Sequence, residues 1–548
     1  MRKFLDKARD AIKDLTDDDK AEQTYNAPQK RSMDEQQQVL AVNPPPAGQP
    51  SRLDVMRYRY HHGTNLGSIY VLEKWLHPSM FPSNAPANAT AELPAAQLAI
   101  KEMGTDGARA KFQRHWDSAI SDDDFRWLVN DAHCTSIRLP IGYFTLGPNF
   151  CKNTPFASVS ALYANAWNSV KILVARCNQN GIGVLVDLHA LPGGANDGEH
   201  SGTNSGKTEL WNNSANLDLA TRCLSFIAQE VRNGMDGVLG IQLCNEAVYN
   251  ASGMYAWYDK VLGNMASIDN TIPIYISDAW NLGQAVGYVN KKNSLSRGYT
   301  NPVVIDTHLY WAFTPEDQGK SPQQITGEVA SKLKELDGKD GSLIDHGAAQ
   351  VVVGEYSNVL SEQSWNLKGN GDRGDLIKKF GTAQSKRYQQ RSGGSYFWTY
   401  KMDWMDGGEW GFAQQTKSTA LPAPFFLTLP HSAIRDKLSS ANSQQDATRT
   451  SSVNSHVNYW NSQSPGQPFE HWRFEAGWKM GWADAAVFFG MRAGGNLKGP
   501  GGDKIGCLDL WVRKRMIEVG QPAQGPFAWE FEQGFRRGVQ DFYGRAGV

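Results

Sequence analysis

Glu246 and Glu355 stand where carboxylates are poorly placed for packing and well placed for chemistry. Glu246 closes the run Ile241-Gln242-Leu243-Cys244-Asn245-Glu246, and Glu355 follows Val351-Val352-Val353-Gly354 just before Tyr356-Ser357. Each run reads as a β-strand handing over to a loop. Two carboxyl groups meeting at one mouth are the minimum equipment for splitting a glycosidic bond. One protonates the leaving oxygen, and the other attacks the anomeric carbon or activates water. Their separation is about 5–5.5 Å in retaining enzymes and about 6.5–9.5 Å in inverting ones. The acid needs a pKa raised by burial or a negative neighbour, whereas a nucleophile is kept ionised by hydrogen bonds.

Further strand ends carry groups that fit the same chemistry. Asn245, beside Glu246, is placed to donate to a sugar 2-hydroxyl. Arg138 in Ser136-Ile137-Arg138-Leu139-Pro140 offers a fork of donors that keeps a carboxylate ionised. His308 and Tyr310 end Ile305-Asp306-Thr307-His308-Leu309-Tyr310, and Tyr310 suits the second oxygen of a nucleophilic carboxylate. His189 ends Val186-Asp187-Leu188-His189 before the turn Pro192-Gly193-Gly194, and Trp398 presents a flat apolar face as a floor for a pyranose. Singly, such a histidine is a local hydrogen-bonding group and such a tryptophan is core. Their recurrence at the same end of different strands favours a site.

Cys244 reads as a small buried residue facing a helix layer, with no histidine spaced to make it a thiol nucleophile. Asp187-x-His189 and Asp306-x-His308 have the spacing of metal-ligand pairs. However, His61 and His62 are adjacent and point to opposite faces, and no HExxH helix exists. Neither metal nor cofactor is expected.

These strand ends need a scaffold that brings them to one mouth. Short apolar runs at 60–66, 136–139, 182–188, 238–243, 273–277, 303–307, 350–354 and 395–398 alternate with helix-length stretches such as 160–178 and 217–232. The pattern predicts an α/β fold, a (β/α)8 TIM barrel with long loops. An open doubly wound sheet lacks the Gly-rich turn that would follow its first strand. Residues 1–15 have helical periodicity, and the stretch to residue 54 is Gln-rich and ends in Asn-Pro-Pro-Pro, so 1–54 reads as a helix and disordered linker. The barrel is placed at 55–415, a polar linker at 416–468 and a helical appendage at 469–548. The appendage repeats itself: Trp472-Arg473-Phe474-Glu475-Ala476-Gly477 matches Trp529-Glu530-Phe531-Glu532-Gln533-Gly534 within a W-x-F-E-x-G-Φ-x-x-G-x-x-D pattern, with Φ aromatic. Glycines four apart share a helix face and permit close approach, which predicts a helix pair packed on the barrel.

The whole chain narrows the options further. Its 548 residues carry a net charge of -1, so no electrostatic signal points to nucleic acid or to an anionic membrane. Aromatics reach 11 % with 18 Trp, a composition compatible with sugar binding. The six cysteines are scattered and read as reduced thiols. The first residues lack an apolar core segment of the secretory type, and no stretch has transmembrane length, so a cytoplasmic location is expected.

Taken together, these residues resemble glycoside hydrolase family 5, and within it the fungal exo-β-1,3-glucanase branch. The likeness runs through Gly63-Thr64-Asn65-Leu66-Gly67 with Glu73, Arg138-Leu139-Pro140, Asp187-Leu188-His189, Asn245-Glu246, His308-x-Tyr310 with Phe313, Gly354-Glu355-Tyr356-Ser357, and Phe397-Trp398-Thr399-Tyr400-Lys401 with Glu409-Trp410. The resemblance implies that Glu246 is the acid/base and Glu355 the nucleophile. It also implies that Glu73, Arg138, His189, Asn245, His308, Tyr310 and Trp398 line the sugar subsite. Ala247 stands where the family commonly has proline, and the loop 194–200 lacks the aromatic of the secreted enzymes. The C-terminal segment makes the chain similar to the cytoplasmic fungal members. The implied activity is retaining hydrolysis that releases glucose from the non-reducing end of β-1,3-glucan or a related β-glucoside. The alternatives are an intracellular β-glucosidase for small or lipid glucosides and a non-catalytic sugar-binding barrel.

Overall fold

The computed structural model describes residues 48–337 and 343–548. The stretch 1–47, expected to hold a helix and a linker, lies outside them. Eight strands form a closed parallel barrel in chain order: β1 (His61–Asn65), β2 (Ser136–Gly142), β3 (Gly183–Ala190), β4 (Val238–Gln242), β5 (Ile274–Ser277), β6 (Val303–Leu309), β7 (Gln350–Tyr356) and β8 (Gly394–Phe397). Every residue of β3 and β7 is buried. Strands covered on both faces become continuous apolar runs, which is why these were visible in the sequence. Helices cover the outside. The helix Ser214–Arg232 starts where the Asn213 side chain accepts from the Ala215 and Asn216 N–H groups, and it buries Leu219, Cys223, Leu224, Ile227 and Val231. All six cysteines are buried and unpaired with one another.

The register shifts at Ile141/Gly142 between β2 and β3, at Thr307/His308 between β6 and β7, and at Val353/Tyr356 between β7 and β8. Irregularities of this kind re-aim side chains. These three lie toward the C-terminal ends of the strands, where the polar residues gather; a fourth, at Val184/Leu185 between β3 and β4, lies near the opposite end.

The sequence reading needs correction in two places. The stretch 160–178 is a 3-10 segment, Pro155–Tyr163, followed by the helix Ala166–Gln179, because Asn165 leaves helical geometry between them. Residues 416–468, expected as a polar linker, contain the helices His431–Ser443 and Gln445–Gln463. Ile434 and Ala441 are buried in the first of these, but the second buries Thr448, Ser452 and His456, polar groups that an apolar pattern does not detect.

The repeated segments are the helices Trp472–Gly490 and Ala528–Ala546, packed directly on each other. A Cβ on Gly477 would lie 2.1 Å from the Phe531 carbonyl oxygen, and one on Gly534 would lie 2.0 Å from that of Phe474. Gly481 and Gly538 repeat the contact against Phe535 and Trp478. This pair, with the helix Leu508–Val519, covers the N-terminal floor of the barrel. Tyr275, Val304, Val352 and Tyr396 from the strands share one core with Trp478, Trp511 and Phe535. The helix Arg52–Tyr58 straddles the expected domain start, and its Val55, Met56 and Tyr58 belong to that same core. A latch fixes the junction: Asp503 accepts from Arg492 Nε at 2.8 Å and lies 3.5 Å from Arg59 Nη1, with Arg59 and Asp503 fully buried. No helix among the described residues is long and apolar enough to cross a membrane.

Candidate active site

Arg138 occupies the centre of the barrel beneath the mouth and is completely buried. A guanidinium has five N–H donors; here four hydrogen bonds and an ion pair surround it. Nε donates to Gln242 Oε1 at 3.0 Å. Nη1 donates to Asn65 Oδ1 at 3.0 Å and Glu355 Oε1 at 2.8 Å, while Nη2 reaches Asn245 Oδ1 at 2.7 Å and Asp187 Oδ2 at 3.0 Å. Residues from β1, β2, β3, β4 and β7 thereby converge on one group. Their side chains point inward because alternate residues of a strand share a face.

Glu355 on β7 is held from two sides, by Arg138 at Oε1 and by the Tyr310 hydroxyl, which donates to Oε2 at 2.9 Å. Glu246 lies past the end of β4, on backbone with φ of 43°. That left-handed conformation costs a non-glycine residue roughly 1–2 kcal/mol. Asn196 holds it there by donating to the Glu246 carbonyl at 3.0 Å. His308 Nδ1 is 2.9 Å from Glu246 Oε1, and His200 Nε2 is 3.4 Å from Glu246 Oε2. A carboxylate oxygen of Glu246, one of Glu355 and a nitrogen of His308 all lie within 4.8 Å of one another.

The two Asp-x-His pairs considered as metal ligands are internal hydrogen bonds. His189 Nδ1 lies 2.6 Å from Asp187 Oδ2, and His308 Nε2 lies 3.0 Å from Asp306 Oδ2. Asn245 Nδ2 lies 3.3 Å from His189 Nε2, which links His189 to the Arg138 network. Trp398 stacks on His189 with ring centroids 6.0 Å apart and planes at 15°. Glu73 is buried at the edge, where Trp75 Nε1 donates to its Oε2 at 2.9 Å. Trp75, Trp410, Tyr310 and Phe313 form an aromatic wall beside it.

Burial and charge set the protonation of this network. Burial opposes charge on His308, but Glu355 and Asp306 outweigh it and push its pKa up. Burial alone would raise Glu246. The His308 hydrogen bond and charge, with His200 and His189 behind it, instead pull it down to about 2. Glu355 is raised by burial and by the Glu246 charge, against the pull of His308 and Arg138. These shifts favour the protonated form of His308, one hydrogen bond from Glu246. Glu73 is pushed up to about 8, chiefly by burial.

The structure brings Arg138, His189, Asn245, Glu246, His308, Tyr310 and Glu355 into one connected network, with Trp398 stacked on it and Glu73 alongside. Sequence reasoning missed His200 and Asn196, which reach the mouth from the long β3 loop, and the buried props Asn65 and Gln242. Asp187 and Asp306 were noticed only as ligand pairs. Their position two residues before a histidine, on the same strand face, was the available sign of their actual partners.

Comparison with known proteins fits this geometry. Residues 100–386 match the model of the cellulase family, glycosyl hydrolase family 5, and residues 441–546 match the glucan 1,3-beta-glucosidase 3 C-terminal domain. An uncharacterized glycosyl hydrolase of Saccharomyces cerevisiae is 31 % identical, covering 91 % of this chain and 94 % of its own. Glucan 1,3-beta-glucosidase 3 of Schizosaccharomyces pombe is 29 % identical, covering 88 % and 95 %. Among solved structures, rutinosidase from Aspergillus niger has the same fold, with a TM-score of 0.51 at 16 % identity over 67 % of this chain and 98 % of its own.

Proposed function

This chain belongs to glycosyl hydrolase family 5, and on that premise we propose that it is a retaining exo-acting β-glucosidase for β-1,3-glucan or a related β-glucoside. The observation that carries the reading is the carboxylate pair. One oxygen of Glu246 and one of Glu355 lie within 4.8 Å of each other, and such closeness supports double displacement over inversion, whose carboxyl groups stand about 6.5–9.5 Å apart. In this mechanism Glu355, oriented by Arg138 and Tyr310, attacks the anomeric carbon and forms a glycosyl ester. Glu246 receives the His308 proton and passes it to the leaving oxygen. It then takes a proton from the water that splits the ester. Asn245, fixed by Arg138 and His189, would hold the 2-hydroxyl in this reading, and Glu73 and Trp398 would bound the same sugar. The fungal relative's name, glucan 1,3-beta-glucosidase 3, supports the linkage.

An aryl β-glucoside tests the roles. Glu355→Gln is expected to abolish hydrolysis, whereas Glu246→Gln mainly slows substrates with poor leaving groups, since an activated phenol needs little protonation. Small, equal losses in both variants would defeat the assignment. NMR of early product from laminarin is expected to show β-glucose alone. Early α-glucose would refute retention, and early oligosaccharides would refute exo action.

One feature favours a second aglycone class. A cavity of about 570 Å3 lies against the β3 loop that bears His200, with one wall of Leu93, Leu98, Tyr143, Pro155 and Leu191 and polar groups including Lys101, Ser201 and Glu209 on the rest. Its apolar wall suits the non-sugar part of a lipid glucoside. Comparing kcat/KM for laminaribiose with that for alkyl glucosides of increasing chain length separates the two classes.

A further inference from the structure

Away from the mouth, the C-terminal layer collects two histidines and a glutamate from three separate segments. His456 lies on the helix Gln445–Gln463, His471 immediately precedes Trp472–Gly490, and Glu530 is in the first turn of Ala528–Ala546. His456 Nε2 and His471 Nδ1 each lie 2.9 Å from Glu530 Oε2. One donor atom from each of the three residues lies within 4.8 Å of the other two. Tetrahedral zinc with bonds of about 2.0–2.1 Å has ligand–ligand edges of roughly 3.3–3.4 Å, so small side-chain shifts would admit the ion.

Each of the three groups is also supported from behind. His471 Nε2 is 3.2 Å from Asn461 Oδ1, which leaves Nδ1 for a metal. Glu530 Oε1 accepts the Glu470 N–H at 2.8 Å, so Oε2 faces the histidines. The His456 ring stacks on Phe474 with centroids 4.0 Å apart. Partners of this kind orient metal ligands and tune their basicity. The side chains of Glu530 and His456 are 0 % and 4 % exposed, and that of His471 is 19 % exposed, which gives an entry path and room for a fourth ligand. The equivalent position of the first repeat holds Arg473, bonded to Glu470 and to the Gln521 and Pro522 carbonyls. The arrangement therefore belongs to one copy of the repeat.

We propose that His456, His471 and Glu530 form a binding site for a divalent transition cation such as zinc, with water as fourth ligand. The site fastens the helix Gln445–Gln463 to the glycine-crossed pair, far from the barrel mouth. Its role is structural and independent of hydrolysis.

The full chain is stripped with chelator and reloaded with zinc. The expected result is one zinc per chain, a raised melting temperature and, with cobalt(II) instead, the intense visible bands of a tetrahedral ion. His471→Gln, at the partly exposed ligand, is expected to weaken zinc binding at least tenfold while leaving aryl-glucoside hydrolysis unchanged, and Glu530→Gln to weaken it likewise. Should either variant fold poorly, the zinc content and cobalt spectrum of the unaltered chain still decide. Absence of bound zinc in that chain would overturn the proposal and leave a metal-free His–Glu–His hydrogen-bonded cluster. Binding that survives His471→Gln and inhibits hydrolysis would overturn it too, by placing the ion at Glu246, His308 and Glu355.

Discussion

At the scale of single residues, the mouth depends on donors that each have one task. The Tyr310 hydroxyl donates to Glu355 Oε2 at 2.9 Å. Tyr310→Phe is therefore expected to cost about 1–3 kcal/mol, read as a kcat lower by roughly 5- to 150-fold at unchanged melting temperature. Glu73 gives a pH signature. It is pushed up to about 8, mainly by burial, whereas its ordinary value is 4.5. Between those values the folded chain keeps a proton that the unfolded chain has lost. Stability therefore falls as pH rises through that window, by up to about 1.4 kcal/mol per unit. Urea melts across the window should show this slope in the native chain and a flatter one in Glu73→Gln. Arg138, Asn245, His308 and Tyr310 were legible in the sequence because they end apolar runs, where a polar group stands out. His200 was not, because its position comes from the path of a loop rather than from any period. The only trace was the length of that loop and its polar, glycine-rich composition.

At the scale of elements, the eight strands were legible because burial on both faces leaves little besides apolar residues until the chemistry begins. The helix pair was legible from its repeat, and the glycines four apart meet backbone as their spacing implied. A side chain there has nowhere to go: beyond Gly534 the obstruction is the Phe474 carbonyl rather than a movable side chain. Gly534→Leu or Gly477→Leu is expected to destabilise the chain by at least about 1–3 kcal/mol, seen as a lower melting temperature with unchanged aryl-glucoside kcat/KM at moderate temperature. Unaltered melting in both variants would show that the crossing tolerates separation. The helix Gln445–Gln463 was illegible for the opposite reason. Its anchoring contacts are polar: Ser452 donates to Asp541 at 2.6 Å and His456 meets Glu530 at 2.9 Å. Hydrophobic periodicity cannot register a helix that docks through hydrogen bonds.

At the scale of the molecule, barrel and C-terminal layer form a continuous structure. Tyr275, Val352 and Tyr396 at the barrel floor would meet water if the layer were removed, and Arg59 would lose the counter-charge of Asp503. Asp503→Asn is expected to destabilise the chain by about 3–5 kcal/mol, since it leaves buried guanidinium groups short of an anion, and denaturant melts would measure this. A chain truncated before the layer is expected to aggregate rather than yield an active barrel, with size-exclusion chromatography as the readout. Arg138 has the remaining consequence. Its contacts tie β1, β2, β3, β4 and β7 together beneath Glu246 and Glu355, so a substrate is expected to enter and leave on the mouth side. On the exo-acting reading proposed above, a glucose cut from a chain end is expected to back out before another end enters. Each turnover would then release the polymer, and a time course of laminarin products is expected to show distributive rather than processive hydrolysis. Glucose should also compete directly with the next substrate for the mouth.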